Sequence, residues 1–326
     1  MLEHLPKNNS YPSPSPSPER GGENLKLSDA VISTLAFFSL YELPLSAKRV
    51  HELLLQQKAT LPEVESELAN LRASEKITQQ NNLYSIKSWN PSTYNANNLE
   101  LTKKWAKIDR YFNWLAVLPF VRNISVINSL ALGTADSDSD IDFFVITAPG
   151  TLYFVRSMII VLFRLLGVYK TRQRIKDRFC FGFYVTQTNL SFEPLMIKPS
   201  DPYFMFWLAN MRPVVGGQAY WQMMQQNQWL TQVFPNLEPI NRHSTLKRPN
   251  LLIKGIKLAL EILFWLPVRV AEPFLRRIHV NHTFKLAENN TVTSTTIANK
   301  DMLKLHGYDV RAEIAQRFEG VLKGLR

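Results

Sequence analysis

The sequence predicts an α+β chain: a mixed sheet flanked by helices, preceded by a small module of three helices and a hairpin. Three observations predict it. Two apolar runs of strand length, Ile124 to Ile127 and Phe143 to Ile146, enclose a small polar turn. A third strand-like run, Phe179 to Thr186, follows after an apolar segment long enough for a crossover helix. Upstream, residues 28–88 hold three helix-period segments and then two short strand-like runs around a Gln/Asn turn.

The chain of 326 residues has room for two domains, and its 45% hydrophobic content is enough for proper cores. A net charge of +11 favours anionic partners: nucleotides, nucleic acid or an anionic surface. The single cysteine, Cys180, excludes an internal disulfide. The chain opens without a secretory signal, so a cytoplasmic location is expected. No apolar run reaches the roughly 18 residues of a membrane span, and no transmembrane segment is expected.

Residues 1–26 carry Tyr11-Pro-Ser-Pro-Ser-Pro-Ser-Pro18, which can build neither helix nor ladder and reads as an extended, disordered tail. Ser28 or Asp29 can cap a helix with Val31, Leu35 and Phe38 inward. Ser46 starts a second helix after Pro44, and Leu61-Pro62-Glu63 opens a third that buries Val64, Leu68 and Leu71. Lys76–Thr78 and Leu83–Ile86 then form a hairpin. This order over 28–88 resembles a winged helix-turn-helix domain. Its third helix carries Glu63, Glu65, Glu67 and Glu75 against Arg72, which argues against a phosphate-facing surface; DNA binding is not favoured and partner docking is.

Residues 89–101 read as an Asn-rich linker, and 102–118 as a helix with Trp105, Ile108, Phe112 and Leu115 inward. Pro119 stops it ahead of the sheet domain, placed at 102–240. Within that domain, 151–166 reads as a buried crossover helix. Lys170, Arg172, Arg174, Lys176 and Arg178 form either a solvated loop or a basic rim that draws anions inward. Asp201 caps a helix ended by Pro213, and the Gln-rich stretch 220–233 forms another. Residues 241–326 are expected to be a helical region packed on the sheet domain. They include a basic amphipathic helix over 251–266, for which packing on the domain is favoured over membrane-surface attachment. His279 and His282 lack companion ligands for zinc.

The candidate site lies between the first two strands, in Asn128-Ser129-Leu130-Ala131-Leu132-Gly133-Thr134-Ala135-Asp136-Ser137-Asp138-Ser139-Asp140-Ile141-Asp142. Strand side chains repeat every two residues, so Asp140 and Asp142 share one face while Ile141 and Phe143 share the other. Two neighbouring carboxylates on rigid backbone suit Mg²⁺, which takes one or two carboxylates and keeps water and phosphate ligands. A plain polar turn is the competing reading. A calcium loop is excluded, because the glycine and glutamate that it requires are Ile141 and Thr147 here.

These residues resemble the signature of the DNA polymerase β-type nucleotidyltransferase superfamily, in which a Gly-Ser pair and a glycine-containing loop precede Ser-Asp-Ile-Asp and a hydrophobic strand. The resemblance implies a nucleotidyltransferase-type sheet. It also implies Asp140 and Asp142 as catalytic, metal-binding carboxylates for Mg²⁺ or Mn²⁺. Asn128, Ser129, Gly133 and Ser139 become the nucleotide-binding residues, with Ser129 touching the triphosphate. Asn128 stands where the family has its first glycine, and asparagine tolerates left-handed backbone. The implied reaction moves a nucleoside monophosphate from an NTP to an acceptor (protein, RNA or small molecule) and releases pyrophosphate. The superfamily often has a third acidic residue on the strand represented here by Phe179–Thr186; that strand has none, and Asp177 and Glu193 are the nearest. The alternative is a catalytically silent nucleotide-binding scaffold whose N-terminal module docks a partner.

Overall fold

The computed structural model describes residues 25–238, 245–288, 296–305 and 309–325. All but the last two residues of the expected Pro/Ser tail lie outside them.

The N-terminal module runs α1 (Leu27–Ser39), β1 (Leu45–Ser46), α2 (Ala47–Glu52), α3 (Leu61–Ala73), β2 (Thr78–Gln80) and β3 (Leu83–Ser85). Local chemistry sets two of its three helix starts; α1 follows Lys26 without a side-chain cap, and the expected caps Ser28 and Asp29 lie inside its first turn. The Ser46 side chain accepts from the Arg49 N–H, and Thr60 and Glu63 form a reciprocal capping box at α3. The three strands form one antiparallel sheet in the order β1-β3-β2.

The expected linker is helical instead. α4 (Pro91–Arg110) begins where the Asn90 side chain accepts from the Ser92 and Thr93 N–H groups, with Pro91 at the first helical position. The Asn-rich composition masked an ordinary helix start. A break at Tyr111 separates α4 from α5 (Phe112–Ala116).

The main sheet has six strands among the described residues, in the order β7-β4-β5-β6-β9-β8. They are β4 (Val121–Val126), β5 (Ile141–Thr147), β6 (Phe179–Thr186), β7 (Arg212–Val215), β8 (Ile297–Ala298) and β9 (Met302–Lys304). Only β5 and β6 run parallel, joined by the crossover helix α7 (Leu152–Leu165); every other pair is antiparallel. The short helix α6 (Asn128–Leu132) links β4 to the aspartate turn. Pro213, expected only to end the preceding helix, also lies in the edge strand β7, where a missing N–H is tolerated. That helix is α8 (Pro202–Asn210), capped by the Asp201 side chain. The Gln-rich stretch divides into α9 (Gly217–Gln226) and α10 (Trp229–Val233).

The C-terminal part corrects the expectation of an all-helical region. α11 spans Leu251–Glu288, running through Pro267 and Pro273, and α12 spans Arg311–Lys323; between them β8 and β9 extend the main sheet. β9 is a three-residue strand paired to β6, and so short a run has no periodicity of its own to announce it.

The two sheet faces have different cores. Ile141, Phe143, Val145, Phe179, Phe181 and Tyr184 face α5, α7 and the inner side of α11. Phe144, Ile146, Phe183 and Val185 face α8, and this core continues without a break into the N-terminal module. Phe37 stacks on Phe206 with ring centroids 3.9 Å apart, and Phe38 meets the same ring edge-on at 5.3 Å. β6 can serve both cores because the β5–β6 register slips by one residue at Gly182: Phe143 pairs with Phe181, but Phe144 pairs with Phe183.

Candidate active site

Asp140 and Asp142 emerge at the start of β5 on the face predicted from their spacing. Parallel pairing sets Cys180 of β6 directly beside Asp142. One ligand atom from each of Asp140, Asp142 and Cys180 lies within 4.8 Å of the others, the only such group of three found among the described residues. Lys170 reaches the same point from an extended segment hydrogen-bonded to the start of β6, and its Nζ lies 2.5 Å from Asp140 Oδ2.

Asp142 is the electrostatic centre. Its burial, then the charge of Asp140, push its carboxyl up to about 6; hydrogen bonds from Asn128 and Cys180 and the nearby Lys170 charge oppose the rise. The Cys180 thiol is pushed well above its ordinary value, first by burial and next by Asp142, so at neutral pH it is a protonated hydrogen-bond donor. Burial opposes the Lys170 charge, but its hydrogen bond to Asp140 and the charges of Asp140 and Asp142 hold its pKa above the ordinary lysine value.

Asn128 shows why asparagine serves here. Its backbone is left-handed, with φ at 55°, which lets the chain turn from β4 into α6. Its Oδ1 accepts from Trp207 Nε1 at 2.8 Å while the side chain also bonds Asp142, so one residue ties the carboxylate to α8.

A cavity of about 310 Å³ opens over this group, at the small end of ligand pockets, which run from about 300 to 1,000 Å³. Asn128, Asp142, Lys170 and Cys180 line one side, and Tyr203, Phe204 and Trp207 of α8 form an aromatic wall. Lys304 of β9 and Arg311 of α12 close the far side. Burial, then the Arg311 charge, lower the Lys304 pKa to about 8. Arg311 is itself held by Asp201 at 2.9 Å and by Asp309 at 2.6 Å.

The other residues singled out in the sequence divide. Ser139 belongs to the turn: its Oγ donates to Asp136 Oδ1 at 2.6 Å, and Asp136 also accepts the Asp138 and Ser139 N–H groups. Gly133, with φ at 90°, ends α6 and lines a different, smaller cleft beside Tyr41 and Asn90. The Ser129 carbonyl accepts the Gly133 and Thr134 N–H groups, and its side chain does not line the cavity. Asn128, Asp140 and Asp142 are therefore brought together, whereas Ser129, Gly133 and Ser139 shape the loop behind them.

Neither acidic neighbour becomes a third carboxylate. Asp177 is taken by the buried Lys104 at 2.5 Å, and its carbonyl accepts from Lys107. Glu193 sits in a 3₁₀ turn away from the cavity lining. Lys104 also donates to the Ser139 carbonyl at 2.8 Å, so α4 clamps the aspartate turn. Of the basic run, Lys170 enters the site, while Arg174, Lys176 and Arg178 line a separate open cleft with Lys107. The sequence reading missed Cys180, Trp207, Lys304 and Lys104. Only the strand alternation around Cys180 carried a signal, and it needed the β5–β6 register to be useful.

The donor set fits a divalent cation: two carboxylates on one face offer hard oxygen ligands, provided that Lys170 yields Asp140. The His279 and His282 pair forms no metal set; His279 instead faces Ser157 Oγ at 2.9 Å. Comparison with models of known protein families, with curated proteins and with solved structures finds no match.

Proposed function

We propose that the chain is a nucleotidyltransferase that takes an NTP and moves its nucleoside monophosphate to an acceptor hydroxyl or phosphate, releasing pyrophosphate. The observation that carries this reading is the convergence of Asp140 and Asp142 on one face, at the mouth of a cavity with cationic and aromatic walls. Asp140 and Asp142 would hold Mg²⁺ or Mn²⁺, which when bound supplies charge neutralisation to the phosphates. Asn128 keeps Asp142 oriented. Lys170, released from Asp140, places its ammonium against the phosphate oxygens, with Lys304 adding positive potential from the opposite wall. Tyr203, Phe204 and Trp207 give the base an apolar wall to lie against. The N-terminal module fits a winged-helix domain whose acidic α3 docks a protein partner rather than DNA.

The test is pyrophosphate release by the purified chain from each NTP, with Mg²⁺ or Mn²⁺ and fractionated cell extract as the acceptor source. Asp142→Asn is expected to lower release by on the order of a hundredfold, because the lost carboxylate is worth several kcal/mol of charge stabilisation. Full activity in that variant would refute the assignment. With Asp142 titrating at about 6, cation-dependent nucleotide binding should weaken as pH falls through that value, because the neutral acid is a poorer ligand.

A second reading is favoured by a specific observation: Cys180 occupies the place beside Asp142 where an activating carboxylate would be useful, and Lys170 already neutralises Asp140. A silent nucleotide-binding scaffold fits this arrangement. It predicts saturable NTP binding without pyrophosphate release under any metal or acceptor.

A further inference from the structure

α11 is built inside out. Leu258, Ile262, Leu266, Val270 and Phe274 recur every four residues and are each between 60% and 75% exposed. With Leu252, Leu263 and Trp265, also exposed, they cover roughly half of the helix circumference at about 3.6 residues per turn. Three charged side chains point the other way. Glu261 accepts from the Phe120 N–H at 2.8 Å and from Arg122 at 2.7 Å, and Lys257 donates to the Val121 carbonyl at 2.6 Å. Glu272 is buried and accepts the Tyr153 and Phe154 N–H groups at the start of α7.

The charge that stays outside is of one sign. Among the described side chains of α11, both carboxylates face the protein, whereas Lys254, Arg269, Arg276, Arg277 and Lys285 are exposed. Arg269 lies 4.0 Å over the exposed Trp265 ring, a pairing that combines an apolar body with a cation at the same depth. α11 extends 38 residues, or roughly 57 Å at about 1.5 Å per residue. No helix among the described residues is long and apolar enough to cross a membrane.

We propose that the outer face of α11 lies on a membrane surface bearing anionic headgroups, with its leucine row in the acyl boundary and its arginines among the phosphates. Charge complementarity selects this occupant: apolar area plus exposed cations, with the acidic groups withdrawn, is the composition that an interfacial helix requires. A second copy of the helix is a poorer match. A paired-helix seam is a narrow stripe of period about 3.5, whereas this face is broad and the helix carries prolines at 267 and 273. Surface attachment would hold the cavity over Asp142 at a fixed orientation to the bilayer.

Vesicle flotation of the full-length chain tests this, using phosphatidylcholine alone and phosphatidylcholine with phosphatidylglycerol. The wild-type chain should float with the anionic vesicles and less with the neutral ones. A Leu258→Glu/Ile262→Glu/Leu266→Glu variant, all at exposed positions and checked for its fold by circular dichroism, should lose binding by on the order of tenfold or more. Arg276→Glu/Arg277→Glu should lose the preference for anionic lipid, with recovery on the two kinds of vesicle becoming equal. Recovery that is independent of vesicles, or undiminished in the triple variant, would overturn the proposal. So would a wild-type dimer without vesicle binding that the triple variant splits into monomers, which would make the face an interface between copies.

Discussion

At the mouth of β5, carboxylates are held half-buried against one another, while along α11 leucines and a phenylalanine stand in water. The two regions depart from the usual partition of polar and apolar groups in opposite senses. Both departures are built on well-supported backbone. The aspartates sit on a central strand with neighbours on each side, clamped by Lys104 and Asn128. The exposed apolar row sits on a helix whose opposite face is anchored by Glu261 and Glu272. A cluster of buried charge and an uncovered apolar surface can each be maintained when the rest of the element is well anchored, and both then become informative about ligands.

The comparison can be sharpened by changing the two sides of α11 separately. The largest effect is expected from Glu272→Ala, which leaves the Tyr153 and Phe154 N–H groups at the start of α7 without their acceptor; urea unfolding should show a loss of about 1–3 kcal/mol. An unchanged midpoint would mean that α11 is not held by its inward carboxylates. An effect confined to alkaline pH is expected from Lys257. Burial lowers its pKa from 10.5 to about 8, so the folded chain holds that proton less tightly than the unfolded chain. Its contribution to stability should therefore rise with pH between about 8 and 10.5, and Lys257→Met should remove that rise from the pH–stability profile. The smallest effect is expected on the outer face, where Ile262→Gln should shift stability by no more than about 0.5 kcal/mol in vesicle-free buffer. A larger loss would show that the leucine row is covered in the free protein.

Much of the scaffold was legible because its signals are local. Ser46 and Asp201 cap helices where their side chains suggested, and the two-residue repeat put Asp140 and Asp142 on one face. The helix over 151–166 matches α7, and the hairpin after α3 matches β2 and β3. The helix expected over 251–266 was traced for less than half its length, because Pro267 reads as a stop and only tertiary packing carries the backbone through it. Apolar residues so wide around a helix do not say which side is inward; the partly buried Arg122–Glu261 ion pair and the α7 N–H groups that Glu272 accepts decide it.

By itself the sequence determined the α+β class, several helix starts, the crossover between β5 and β6 and the shared face of the two aspartates. Each depends on residues only a few positions apart, through a cap, a period or a turn. Tertiary structure alone decided that Cys180 stands beside Asp142, that Lys170 neutralises Asp140, that β9 brings Lys304 to the cavity and that α11 shows its leucines to solvent. Those depend on strand register and on which of two possible helix faces is anchored. Both are set by contacts between distant segments, whose energies no single stretch of the chain contains.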